Sequence, residues 1–143
     1  KIGNLIIRIG ERRVLILEYI GLIGVFMAYA FVNNPWIAAG LYLIDHAFFA
    51  MAIAMKTYFQ KIADPADIAP TAGVAFTINH IAAVFIPVLF GLMWLKHPSW
   101  VFMAGAAMAC VSLLLSLLIP RDPREGNETV LMRPGAAAAT PAE

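Results

Sequence analysis

Four long apolar runs, separated by short polar stretches, dominate this sequence. They cover residues 14–32, 36–59, 71–95 and 99–119. A hydrocarbon core about 30 Å thick requires roughly 20 mostly apolar residues per helix, and every run approaches or exceeds that length. The pattern therefore predicts an all-α membrane protein, with four transmembrane helices across residues 14–119.

The connectors between the runs contain Asn, Asp and Pro, which favour turns and helix starts. They are Asn33–Pro35, Gln60–Pro70 and Lys96–Pro98. Of the 10 Lys and Arg residues, only Lys96 falls on the side of the first and third connectors. Because cytoplasmic loops carry the excess of Lys and Arg, we expect both termini and the middle connector on the cytoplasmic face of a plasma or inner membrane.

Composition supports the bilayer as the main partner of this chain. Hydrophobic residues make up 62% and charged residues 13%, with a mean hydropathy of +0.80, whereas globular domains carry about 25% charged residues. The formal net charge of +1 suggests no nucleic-acid partner. Hydrolase, kinase and metalloprotease motifs are missing from the sequence, so we expect neither an enzyme nor a bound metal or cofactor.

The composition changes after the fourth run. Residues 120–143 are rich in Pro, Gly, Ala and charged side chains. They contain no amphipathic period long enough to pack, so we expect a disordered cytoplasmic tail.

Glycines and arginines recur at ordered spacing in residues 1–13, which precede the first run. The stretch GNLIIRIGERR resembles the cytoplasmic signature of the major facilitator superfamily, Gly-x-Leu-x-Asp-Arg-x-Gly-Arg-Arg. The matching residues are Gly3, Leu5, Arg8, Gly10, Arg12 and Arg13. Ile7 stands where the family has Asp, and Glu11 where it often has Arg. Glycine permits a tight turn, and arginine holds a loop at the anionic cytoplasmic surface.

The resemblance implies a fold and a broad activity. The four helices would be the last four of twelve, within the C-terminal six-helix bundle of the family, and eight further helices of the same carrier would precede them. The implied activity is secondary active transport of a small solute by alternating access, and proton coupling is one form of it. The resemblance identifies no substrate.

A few polar residues interrupt the second and third runs, and they are the candidate pathway residues. They are Tyr42, Asp45, His46, Thr77, Asn79 and His80. Ionisable groups at bilayer depth cost roughly 2.5–3.5 kcal/mol, which makes each one a functional candidate. We expect the dipeptides Asp45-His46 and Asn79-His80 near the membrane midplane. Either these side chains line the translocation path, with Asp45 or His80 binding a proton, or they only hydrogen-bond helices together.

Two other classes of protein fit the same residues. One is a haem-bearing electron-transfer bundle with His46 and His80 as axial ligands. The other is a compact four-helix efflux or scaffold protein, complete in itself. Glu18, one turn into the first run, is interpreted as an ion-pair partner of the nearby arginines.

Overall fold

The described part of the chain is built from helices. The structure is a computed structural model that describes residue 6, residues 8–124 and residues 127–131. The helices in chain order are α1 (Glu11–Phe31), α2 (Pro35–Phe49), α3 (Ile53–Ile62), α4 (Pro65–Lys96) and α5 (Pro98–Leu117). A 3₁₀ turn, Ala50–Ala52, joins α2 to α3.

Four of these segments are long and apolar enough to cross a membrane: α1, α2 together with α3, α4, and α5. The prediction of an all-α protein with four helices of membrane-spanning length is confirmed. The middle of the second segment tightens into the 3₁₀ turn, where the sequence pattern predicted one continuous helix.

Proline and short polar side chains set where the helices begin. Pro35, Pro65 and Pro98 stand at the first positions of α2, α4 and α5, where the missing N–H costs nothing and φ is already helical. Two of these starts are also capped. Asn34 Oδ1 accepts from the Trp36 N–H at 2.9 Å, and Asp64 Oδ1 accepts from the Ala66 N–H at 2.8 Å.

The middle connector is shorter than expected. The sequence pattern assigned Gln60–Pro70 to a loop, with the third span over residues 71–95, but α3 continues to Ile62 and α4 begins at Pro65. The physical reason is the Asp64 cap, which starts the helix before Pro70 is reached. Pro70 then lies inside α4 at the loss of one backbone hydrogen bond.

Helices α1 and α5 form the packed centre of the fold and run antiparallel. One stripe of α1 is buried, and its members are Glu11, Val14, Leu15, Glu18, Val25 and Ala30. On α5 the buried residues are small: Ala106, Ala109 and Ser116. Small residues allow the close approach that drives helix association in lipid.

Specific contacts fix this pair. A Cβ built on Gly105 would meet the Phe26 ring at 3.4 Å, so the α1 aromatic lies directly on the α5 backbone. The Tyr29 and Phe102 rings stack with centroids 5.0 Å apart. Ser99 Oγ donates to the Ala30 carbonyl at 2.9 Å.

The other spanning helices are attached less extensively. Helix α2 lies against α1, where the Phe48 ring occupies the space beside Gly21 and Tyr29 Oη donates to the Ala38 carbonyl at 3.1 Å. Helix α4 meets α5 near their shared turn, through an edge-to-face contact of Trp94 and Phe102 at 5.8 Å. No residue of α2 or α4 is buried.

The bundle has two chemically distinct ends. The arginine end carries Arg12, Arg13, Arg121 and Arg124, beside the start of α1 and the segment that follows α5. The tryptophan end carries Trp36, Trp94 and Trp100, beside the two short turns. Aromatic residues at one end and cations at the other are typical of membrane–water boundaries.

Part of the expected disordered tail has a defined position. The Val130 N–H donates to the Leu118 carbonyl at 2.8 Å, and Tyr58 Oη donates to the Glu128 carbonyl. Residues 127–131 therefore fold back against the arginine end, because one backbone and one side-chain hydrogen bond hold Val130 and Glu128 there. Residues 125–126 and 132–143 lie outside the described part of the chain.

Candidate functional site

Tyr42, Asp45 and His46 form a cluster on one side of α2, since residues three and four apart on a helix are neighbours. His46 Nδ1 donates to the Tyr42 carbonyl at 3.1 Å, and the two rings lie 4.1 Å apart. Because a carbonyl only accepts, this hydrogen bond places a proton on Nδ1 and leaves Nε2 of the neutral ring as an acceptor. The cluster can therefore receive a proton at His46 Nε2.

Asp45 supplies the acidic member of this cluster. Its Oδ2 lies 3.9 Å from His46 Nδ1, which is within ion-pair range but beyond a hydrogen bond. The Asp45 side chain is 28% exposed and that of His46 57% exposed. A carboxyl and an imidazole thus lie together, and accessible, about 15 Å along the helix from the tryptophan end.

Thr77, Asn79 and His80 lie on α4, and all three are exposed. Thr77 Oγ1 donates to the Gly73 carbonyl at 3.0 Å, and His80 Nδ1 donates to the Phe76 carbonyl at 2.9 Å. Both side chains therefore satisfy a donor within their own helix, and His80 Nε2 is left as an acceptor in the neutral ring. These bonds do not connect α4 to another described helix.

The structure does not bring the two groups of candidates together. Helices α2 and α4 do not pack along each other. Counted along the helices from the tryptophan end, Asp45 lies at about 15 Å and His80 at about 24 Å. The position of both dipeptides near the membrane midplane stays a prediction. A haem held between His46 and His80 would need α2 and α4 to face each other at one depth, and no observation favours that arrangement.

Two glutamates on the buried stripe of α1 were not singled out as functional from the sequence. Glu11 and Glu18 are each 3% exposed. Glu11 Oε1 accepts from Lys61 Nζ at 2.7 Å, which joins α1 to α3. Glu11, Glu18 and Val25 follow one another at intervals of seven residues, which places them on one face of a helix. This spacing could have predicted that both glutamates are buried.

Glu18 differs from the expectation that it pairs with the arginines. It forms no ion pair with the described residues, and its buried Oε2 has no hydrogen-bond partner among them. The reason is the position of Glu18 along α1. It lies two turns, about 10 Å, beyond Glu11, and its side chain is buried, whereas the arginines lie at the start of the helix. A buried carboxyl with an unsatisfied oxygen is a candidate for binding a proton.

The signature residues lie at the start of α1, as far as they are described. Gly3 and Leu5 lie outside the described residues, and Arg8 is exposed. Gly10 precedes α1 with φ 82° and ψ 153°, a conformation that is essentially restricted to glycine. Arg12 and Arg13 follow in the first turn of the helix. The glycine at this position is therefore explained by backbone geometry, whatever family the chain belongs to.

Among the described residues, no group of three or more His, Cys, Asp or Glu side chains could hold a metal ion.

Comparison of the chain with protein-family models, with curated proteins and with solved structures gives no match. The function is therefore argued from the residues themselves.

Proposed function

We propose that this chain forms part of a secondary carrier of the major facilitator superfamily, which moves a small solute across a plasma or inner membrane by alternating access. Four apolar helices of spanning length support a multi-pass membrane protein. The six-residue resemblance at Gly3–Arg13 supports this particular family. No catalytic step is required of any residue in this proposal.

The observation that carries the proposal is the Asp45-His46 pair, partly exposed at Asp45 and exposed at His46, inside a span of mean hydropathy 1.7. An ionisable group at bilayer depth costs roughly 2.5–3.5 kcal/mol and faces a bundle interior or a water-filled cavity. In a carrier that cavity is the translocation path, so the function accounts for a polar cluster that a purely structural helix would not retain.

The exposed polar residues of α4 support the same conclusion. Thr77, Asn79 and His80 lie on a helix without a buried residue, although such side chains avoid lipid. We infer that other helices of the same carrier, or the water of its central cavity, contact this face. The 3₁₀ turn Ala50–Ala52 and Pro87 of α4 are places where such helices can bend during alternating access.

Proton coupling is the form of transport that these side chains fit best. Asp45 and His46 offer a carboxylate and a free imidazole nitrogen close together, and intramembrane acids and histidines serve as proton relays in transporters. Glu18 offers a second carboxyl, which is buried on α1. In this proposal a proton bound at Asp45 accompanies the solute, and the arginine end faces the cytoplasm with both termini.

The test compares Asp45→Asn with Asp67→Asn, the same substitution in the first turn of α4 near the arginine end. The full-length protein encoded by the gene is reconstituted in liposomes that contain a pH-sensitive dye. Sugars, amino acids and hydrophobic cations are then added singly to find those that drive proton entry. We expect Asp45→Asn to reduce solute-driven proton entry at least about tenfold, because an amide does not bind and release a proton as a carboxylate does. We expect Asp67→Asn to leave proton entry unchanged.

Three results would count against this assignment. Equal proton entry in the Asp45→Asn and Asp67→Asn proteins would remove Asp45 from coupling, and loss in Glu18→Gln alone would move the role to α1. Solute entry without any proton movement would retain the carrier and reject its proton coupling.

A further inference from the structure

Two clefts flank Gly10 at the arginine end, and Arg121 lines both. The first, the arginine cleft, has a volume of about 320 Å³ and is lined by Ile9, Gly10, Arg12, Arg13, Ile16 and Arg121. The second has a volume of about 460 Å³ and includes Glu11, Lys61 and Asp122 in its lining. Their charges differ, and this difference points to a ligand.

In the second cleft, the positive charges are compensated by carboxylates of the same lining. Glu11 and Asp122 face Lys61 and Arg121 across it, and the Glu11–Lys61 pair is closed at 2.7 Å. An anion would gain little there, because the cations already have protein carboxylates nearby.

The arginine cleft has three guanidinium groups and no carboxylate in its lining. Arg12, Arg13 and Arg121 form no ion pair with a carboxylate of the described residues. Three like charges around one small cleft repel one another, and an anion bound among them removes that repulsion. The structure therefore presents a concentrated positive site that its described residues do not neutralise.

Apolar side chains form the other part of this cleft. Ile9 and Ile16 line the cleft beside the arginines. On α1, Ile16 follows Arg12 by four residues and Arg13 by three, so it lies on the same face of the helix. Ile16 is one turn inside the first spanning helix, whereas the arginines lie at its start, where lipid headgroups meet water. The cleft thus offers cations at headgroup level and an apolar wall on the membrane side.

We propose that the arginine cleft binds the phosphate group of an anionic phospholipid, with Ile9 and Ile16 against the start of an acyl chain. Guanidinium groups bind phosphate oxygens in bidentate fashion, and the inner leaflet supplies anionic lipids at this depth. The site rests on the spanning helices and not on the transport activity. It also joins Arg121, from the segment after α5, to the beginning of α1 through a shared ligand.

The experiment is a titration of the detergent-solubilised protein followed by native mass spectrometry. Phosphatidylglycerol is the anionic probe, phosphatidylcholine the zwitterionic one, and inorganic phosphate the headgroup without a chain. We expect phosphatidylglycerol to bind at least about tenfold more tightly than phosphatidylcholine. Both lipids carry the same phosphate, but the choline cation of phosphatidylcholine would add a positive charge beside the three arginines. Inorganic phosphate at the same concentration should not compete.

Variants assign the binding to the cleft. Arg12→Gln and Arg121→Gln should each weaken phosphatidylglycerol binding roughly tenfold, with partial recovery in Arg121→Lys, which retains the charge without the bidentate fork. The matched control is the double variant Arg8→Gln with Arg124→Gln, which removes two exposed arginines of the same region outside the cleft lining. It should bind as the unmodified protein does.

Three outcomes would overturn the proposal. Equal weakening in the control variant would mean attraction to the general charge of this end. Equal binding of both lipids would mean that the net negative charge of the headgroup is not recognised. Effective competition by inorganic phosphate would mean a site for free phosphate. Circular dichroism of every variant separates lost binding from lost folding.

Discussion

The α1–α5 pair and helix α4 have nearly the same hydropathy but very different packing. Their mean hydropathies are 2.1, 2.1 and 1.9. Helix α1 buries a stripe from Glu11 to Ala30, and α5 buries small residues against it, whereas α4 buries nothing. Hydropathy thus indicates that a helix belongs in lipid without indicating what it packs against.

Close contact makes the difference between the two regions. Helices in lipid gain no hydrophobic free energy by meeting, so they associate through van der Waals contact and interhelical hydrogen bonds. The α1–α5 pair has both, with Phe26 on the Gly105 backbone and Ser99 bonded to Ala30. In α4 the polar side chains Thr77 and His80 bond to their own helix instead.

The largest loss of stability is expected when Lys61 is changed, because this residue joins α3 to the packed helix α1. Lys61→Met removes the partner of Glu11 and leaves a carboxylate that is 3% exposed without its cation. Because Glu11 is buried but Lys61 is half exposed, breaking this pair should cost about 2 kcal/mol, less than the loss for a fully buried pair. We expect a clearly lower midpoint of thermal unfolding in detergent micelles, measured by circular dichroism.

The control for Lys61 is Lys56→Met on the same helix, since Lys56 is exposed and forms no ion pair with the described residues. It should change the free energy of unfolding by less than about 0.5 kcal/mol. Glu11→Gln should cost only about 1 kcal/mol, because Lys61 is half exposed and returns to water. Equal midpoints for the two lysine variants would show that the ion pair does not stabilise the fold.

Much of this architecture could be predicted from the sequence. Twenty apolar residues in a row have few alternatives to a spanning helix, so the four spans follow from length and hydropathy alone. The helix starts at Pro35 and Pro98 also follow, because proline is suited to the first turn. The early start of α4 differs from the predicted connector Gln60–Pro70, because Asp64 caps a helix that continues through Pro70.

The candidate site was less predictable, because it depends on which helices meet. Spacing along one helix places Tyr42, Asp45 and His46 on one side of α2, but it carries no information about whether α2 faces α4. The Glu11–Lys61 pair joins residues far apart in the sequence, and only the packing of α3 on α1 brings them within 2.7 Å. The relation between Asp45 and His80 in a transport cycle stays a prediction.

A smaller effect is expected where Phe48 of α2 contacts α1. In Gly21→Ala the new Cβ overlaps the Phe48 ring, so the ring or the helix must move. Overpacking costs about 1–3 kcal/mol, and the better helix propensity of alanine returns about 0.5–1 kcal/mol. The net loss is about 1 kcal/mol, measurable as a lower unfolding midpoint. In Gly24→Ala on the same helix nothing lies within 4 Å of the new Cβ, so that variant should not lose stability.

The smallest effect, and one of opposite sign, is expected in α4. No atom lies within 4 Å of a Cβ built on Gly91, so Gly91→Ala adds helix propensity without a clash. It should stabilise the protein by about 0.5–1 kcal/mol and raise the unfolding midpoint that Gly21→Ala lowers. If Gly91→Ala instead destabilises the protein expressed from its own gene, a helix beyond the described residues packs closely on α4 at this point. The contrast between α4 and the α1–α5 pair would then belong to the described residues and not to the assembled protein.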